Sequence, residues 1–159
     1  MGGSEFYRII LNEMGSNLPK IRWEEERSNL YAIINAINKG TVRACHDISE
    51  GGLGIALVEM MVSGRSRKKL GLEIDLKGVE KELPVEKLLF SQSSGYIVEV
   101  DQEENFEKIM RKYGAYFFKI GRVTSESRLK IHLGGEKIID LPADELLHTW
   151  QESVPQAFH

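Results

Sequence analysis

Apolar positions along the chain follow two periods. Between residues 23 and 38, Trp23, Leu30, Tyr31, Ile34 and Ile37 recur at steps of three and four, with Arg27 as the weak member. That spacing predicts a helix with one apolar stripe. Glu24, Glu25 and Glu26 crowd its first turn, where the helix dipole favours negative charge, and Lys39-Gly40 supplies a stop. Phe106, Ile109, Met110 and Tyr113 predict a second amphipathic helix over 105–113. Shorter helices are expected over 4–13, over 50–61, over 83–90 with Pro84 near its start, and from Pro142 onward, where Leu146, Leu147 and Trp150 recur. Trp23 and Trp150 read as packing anchors.

The other period is two. Leu72, Ile74 and Leu76 alternate with Glu73, Asp75 and Lys77, and 128–133 alternates likewise. Both predict half-buried strands. The apolar runs 96–100 and 115–120 and the short run 41–45 read as further strands, and Gly134-Gly135 predicts a hairpin turn into 137–140. Residues 15–19 form a turn, and the tail 152–159 is expected to be loose. About five or six strands and four or five helices, not in strict alternation, predict an α+β fold with a mixed β-sheet covered by helices.

Composition narrows the class. A chain of 159 residues suffices for a single domain, 1–159, with a real core. The net charge of -3 is spread along the chain, and the short basic run 65–69 is isolated, so no nucleic-acid face is expected. One cysteine excludes a disulfide framework and a sulfur-based metal cluster. No apolar run approaches the length of a membrane span, and a cytoplasmic location is the expectation.

Candidate chemistry concentrates in Thr41 to Leu53, read as strand, polar turn and helix start. Asp47 and Ser49 are cap candidates, and Gly51-Gly52 lets the backbone approach a neighbour closely. A strand end feeding a glycine-containing helix start is suited to an anion, so Ser49, Gly51 and Gly52 are candidates to hold a phosphate or carboxylate. Neither a Walker lysine nor a dinucleotide glycine pattern is present. His46 and Asp47 are adjacent and would point to opposite faces of an extended strand, so they form no pair by sequence alone. Two readings of His46 stand, one facing a ligand or domain boundary and one making a structural hydrogen bond. Cys45 reads as a small buried hydrophobe, not as a nucleophile. Glu50 and Glu59 are the nearest acids, with no spacing that defines a Mg²⁺ site.

His46-Asp47-Ile48-Ser49-Glu50-Gly51-Gly52-Leu53 resembles the signature of the C-terminal domain of phosphoribosylformylglycinamidine synthase. That domain is related to the C-terminal domain of aminoimidazole ribonucleotide synthetase. Gly2 to Phe6, 88–91, 120–123, 138–142 and Trp150 occur in the order of that family. The resemblance implies a fold like that synthetase C-terminal domain. It also implies part of an ATP-dependent ligase that joins formylglycinamide ribonucleotide and glutamine-derived ammonia. ATP and Mg²⁺ would bind mainly through preceding N-terminal ATP-binding synthetase domains, not through this domain alone, and a glutaminase subunit or domain would be a partner. His46, Asp47, Ser49, Glu50, Gly51 and Gly52 would face substrate or the domain boundary, and no catalytic nucleophile is implied. Phe90-Ser91-Gln92-Ser93-Ser94-Gly95-Tyr96 departs from the family's pattern, lacking its acid and its arginine. The family's large synthetase holds two copies of the domain, one catalytic and one largely structural. The departure leaves open which of them this is, and the closing features favour the second in order, the end-of-protein copy. The alternative is a freestanding binding or regulatory module that forms a homodimer through Phe6, Trp23 and the apolar stripe.

Overall fold

The computed structural model describes residues 2–16, 20–63, 70–79 and 83–156. The basic run 65–69 and part of the 15–19 turn lie outside these. The described chain falls into two compact units, Met1–Leu57 with Pro84–Phe118 and Val58–Leu83 with Lys119–His159.

The first unit contains α1 (Glu5–Ile10), α2 (Trp23–Asn38), β1 (Val42–Asp47), the start of α3 (Gly52–Val62), α4 (Val85–Phe90), β3 (Tyr96–Val100) and α5 (Glu103–Lys112). β1 and β3 pair antiparallel, with His46 opposite Ile97 and Asp47 opposite Tyr96. The core joins Ala32 and Ala36 of α2 to Phe106, Ile109 and Met110 of α5 and to Ala115, and Val42, Val98 and Val100 pack against it. Phe117 meets Phe106 edge-on at 6.4 Å and carries the Arg111 guanidinium 5.4 Å above its ring.

Three expectations change here. The face of α2 turned inward is Ala32, Ile33 and Ala36, whereas Trp23 is 72% exposed and Leu30, Tyr31, Ile34 and Ile37 are also exposed. Small residues let α2 approach α5 closely, and the large stripe is left outside. Trp23 is therefore not a core anchor, and in the second unit Trp150 is also exposed. Cys45 is exposed, because the odd positions of β1 lie on the face of the β1–β3 pair that stays in solvent. Residues 115–120 form no regular strand, and only at Ile120, whose carbonyl accepts from the Asp75 amide at 2.7 Å, does the run meet one. Instead the Ala115 amide donates to the Met110 carbonyl and the Tyr116 amide to Asn29 Oδ1.

The second unit holds a mixed four-stranded sheet in the order β4 (Gly121–Thr124), β2 (Gly71–Asp75), β5 (Arg128–Leu133), β6 (Glu136–Pro142). β2 and β5 run parallel, and the other pairs are antiparallel. The fold is thus α+β with a mixed sheet, as the pattern predicts. Ile74, Leu129 and Ile131 are buried in it, with Leu76 in a 3₁₀ turn that follows β2 and that Asp75 caps by accepting from the Lys77 amide at 2.9 Å. The Gly134-Gly135 hairpin forms as expected, both glycines having positive φ. α6 (Ala143–Gln156) continues through most of the stretch expected to be loose.

Asp140 bridges Lys137 at 2.8 Å and Arg128 at 2.6 Å. The hydrogen bond from Lys137, then that from Arg128, lowers its pKa from the ordinary 3.8 to about 2. A depressed carboxylate pKa stabilises the folded state above the unfolded value, and that stabilisation disappears as pH falls through the folded one. Asp140→Asn is expected to remove the part of the acid-induced stability loss that falls between pH 3.8 and about 2. Acid titration of both proteins by circular dichroism, with no difference in slope in that window, would contradict the assignment.

Candidate functional site

The site is the turn that leaves β1. Ile48 closes the β1–β3 ladder, its amide donating to the Gly95 carbonyl at 2.9 Å. The chain then reverses through Gly51 at φ 79° and Gly52 at φ 71° into α3. Left-handed backbone is costly for residues with a Cβ. Gly52 has a second requirement. A Cβ there would sit 2.7 Å from the Leu89 carbonyl oxygen and 2.8 Å from both the Phe90 carbonyl carbon and the Ser91 carbonyl oxygen. The glycine therefore lets the turn lie directly on the C-terminal end of α4.

Gln92 ties this turn to the N-terminal segment. Its side-chain oxygen, oriented to satisfy both donors, accepts from the Gly51 amide and from the Glu5 amide, each at 3.0 Å. Beside it, Phe6 stacks on Phe90 with centroids 5.3 Å apart, and Ser4, almost fully buried, caps α1 by accepting from the Tyr7 amide. Gln92 stands in the stretch that lacks the family's acid and arginine. Its role was not legible because its two partners lie 41 and 87 positions away. Gln92→Ala is expected to leave both amides without this acceptor, at a cost of about 1 kcal/mol. Hydrogen exchange should speed at Gly51 and Glu5 together, and an effect at one amide alone would break the proposed link.

The polar candidates take different positions. His46 is half-buried, with Nδ1 2.7 Å from the Asp47 carbonyl oxygen and 3.8 Å from its carboxylate. In the tautomer protonated at Nδ1 the ring donates to that carbonyl. The two residues therefore meet through backbone and ring, although their side chains leave an extended strand in opposite directions. Asp47, Ser49 and Glu50 are exposed. Ser49 enters the turn through its carbonyl, which accepts from the Gly52 amide at 3.1 Å. The amides of Gly51 and Gly52 are thus both engaged within the protein.

Charge beside the turn comes from α1. Arg8 pairs with Glu5, and its pKa is raised first by that bond, with a smaller contribution from Glu50. Glu5 is lowered by the same partner. The Cys45 thiol is pushed up, first by partial shielding of the sulfur and then by the Asp47 carboxylate. That direction disfavours a thiolate at neutral pH and removes the activation a nucleophile needs. Among the described residues, no three His, Cys, Asp or Glu side chains converge in a way that would hold a metal ion. Among them, too, no helix is long and apolar enough to cross a membrane.

A sequence relative from Methanothrix thermoacetophila, phosphoribosylformylglycinamidine synthase subunit PurL, is 36% identical over 99% of this chain. The subunit of the same name from Thermococcus sibiricus is 40% identical over 87% of it. The chain spans about a fifth of the length of these curated relatives, 20% and 19% respectively. Among solved structures, Thermotoga maritima PurL complexed with ATP superposes with a TM-score of 0.67 at 18% identity, covering 92% of this chain and 24% of that one. The same protein complexed with FGAR gives 0.64 at 20% identity, covering 77% and 21%. These likenesses agree on the fold. The family model for the C-terminal domain of AIR synthase related proteins matches residues 2–134, a span that takes in β1, the Gly51-Gly52 turn, α4 and Gln92, and the chain belongs to that family.

Proposed function

We propose that this chain is the substrate-positioning and scaffolding C-terminal domain of an ATP-dependent carbon–nitrogen ligase. The ligase converts formylglycinamide ribonucleotide and glutamine-derived ammonia to formylglycinamidine ribonucleotide in purine biosynthesis. The observation that carries the reading is the turn 46–52, held rigid by Gln92 and by the close contact of Gly52 with α4. Preorganisation of that kind serves positioning, which lowers a barrier without supplying a nucleophile. His46, Asp47, Ser49 and Glu50 are the groups that face substrate or the neighbouring domain. Gly51 and Gly52 set the shape of the turn, since their amides are already used.

ATP and Mg²⁺ belong to the preceding synthetase domains in this reading. The described side chains offer no converging metal ligands, and no step through the metal is assigned to this chain. Ammonia reaches the ligase from a glutaminase subunit or domain. Alone, the 159-residue chain is catalytically silent, and its place is the cytoplasm, where the soluble substrates are.

Calorimetric titration of the chain with formylglycinamide ribonucleotide, and separately with ATP–Mg²⁺, tests the assignment. Saturable binding of the ribonucleotide that is lost in His46→Ala or Ser49→Ala supports it. Should neither ligand bind, even with the ATP-binding domains added, the turn has no substrate role. The second reading, a freestanding dimeric module, is favoured by one observation, the exposed apolar row of α2.

A further inference from the structure

α1 cannot hold itself. It is six residues long, none of its residues is fully buried, and Ile9 and Ile10 lie in solvent. A helix of that length is unstable in water alone, because nucleation costs more than so few hydrogen bonds return. Its order is therefore borrowed from the end of α4 and the loop that follows. Phe6 stacks on Phe90 with ring planes 12° apart. Gln92 accepts from the Glu5 amide, one of the first-turn donors that find no acceptor inside a helix.

The same stretch, 89–92, supports the turn. Gly52 lies on its carbonyls, and a Cβ on Gly54 would come within 3.2 Å of the Phe90 ring. The Gln92 oxygen that holds Glu5 also holds Gly51. One ring and one oxygen are thus shared between α1 and the turn. Charge adds a further tie, since the Glu50 carboxylate acts on the Arg8 guanidinium.

We infer that Phe6 is a positioning residue for the 46–52 turn, acting through Phe90 and Gln92, so that docking of α1 and occupancy of the turn are linked. The part that concerns occupancy rests on the substrate reading given above. Two states carry the linkage. With α1 docked, the Phe6 stack and the Glu5 amide hold Gln92 where its oxygen meets Gly51. With α1 undocked, the Gln92 side chain loses both restraints and the Gly51 amide passes to solvent. A short element with few contacts of its own is the part of a fold that opens first. Linkage is reciprocal: if docking of α1 raises affinity at the turn, a ligand on the turn favours docking by the same factor.

Amide exchange in the 159-residue chain tests the relay. Phe6→Ala removes the stack and should speed exchange of the Gly51 amide by about 10-fold. In a Gln92→Ala background the same substitution should change it by less than about twofold, because the relay is already cut. A Phe6→Ala that only destabilised the fold would act equally in both backgrounds, and that result overturns the inference. Gly51 exchange that ignores Phe6→Ala in the otherwise native chain overturns it too. Added formylglycinamide ribonucleotide should slow the Glu5 amide as well as that of Gly51, and Gln92→Ala should abolish the effect at Glu5. Ribonucleotide that binds and leaves Glu5 unchanged overturns the linkage while the substrate reading stands. Ribonucleotide that does not bind, with or without the ATP-binding domains, overturns the substrate reading, and the pair of exchange measurements then decides by itself whether Phe6 positions the turn.

Discussion

Gly52→Ala is expected to destabilise the first unit by about 3 kcal/mol or more. The left-handed backbone alone costs roughly 1–2 kcal/mol for an alanine. The added Cβ would also lie 2.7–2.8 Å from three backbone atoms at the end of α4. Those atoms are not the tip of a flexible side chain, so relief requires moving α4 or opening the turn. Overpacking of this kind typically adds about 1–3 kcal/mol. Either movement displaces Ser49 and Glu50, and if the turn has the substrate role proposed above, ribonucleotide affinity falls in step. Urea unfolding followed by circular dichroism gives the stability, and exchange of the Ile48 and Gly51 amides locates the damage. A change below about 1 kcal/mol, with those amides still protected, would mean that the turn does not press on α4 as described.

Ile131→Ala should cost the second unit a comparable amount, about 3–4 kcal/mol. Ile131 is fully buried at the centre of β5, opposite Ile74 of β2 on one side and Ile139 of β6 on the other. Removing its branches deletes contacts to both neighbours and leaves a void that ladder-bonded strands cannot easily close. Ile131→Val, which loses one methylene, should cost only about 1 kcal/mol. The ratio is the informative quantity. Equal effects for the two substitutions would indicate that the site collapses freely, in conflict with a well-packed sheet centre. The measurement is denaturant unfolding at constant m-value, so that a change in the denatured state is not mistaken for lost packing.

Much of this protein follows from local chemistry. The spacing of Phe106, Ile109 and Met110 determined both that α5 is a helix and which side it buries, because the large apolar residues and the core-facing residues are the same set. The alternation of 71–75 and 128–133 determined β2 and β5, and Gly134-Gly135 determined the hairpin between β5 and β6, since few other residues accept its backbone angles. The glycine pair at 51–52 marked the turn at the end of β1 for the same reason.

Tertiary structure decided the rest. In α2 two faces compete for the core, and the small one wins because Ala32 and Ala36 permit close approach to Phe106, Ile109 and Met110. Hydrophobic periodicity counts the larger residues and so pointed to the other face. The apolar run 115–120 has strand composition, yet the amides of Ala115 and Tyr116 find partners at Met110 and Asn29, and pairing with β2 begins only at Ile120. Cys45 is exposed because packing covers the other face of the β1–β3 pair, a property of the tertiary structure and not of the strand. Gln92 acquires its role only when Glu5 and Gly51, far apart in sequence, come within 3.0 Å of one oxygen. Local backbone preference and side-chain period are written into short windows of sequence, whereas the choice among competing faces and the pairing of distant polar groups is settled only by packing.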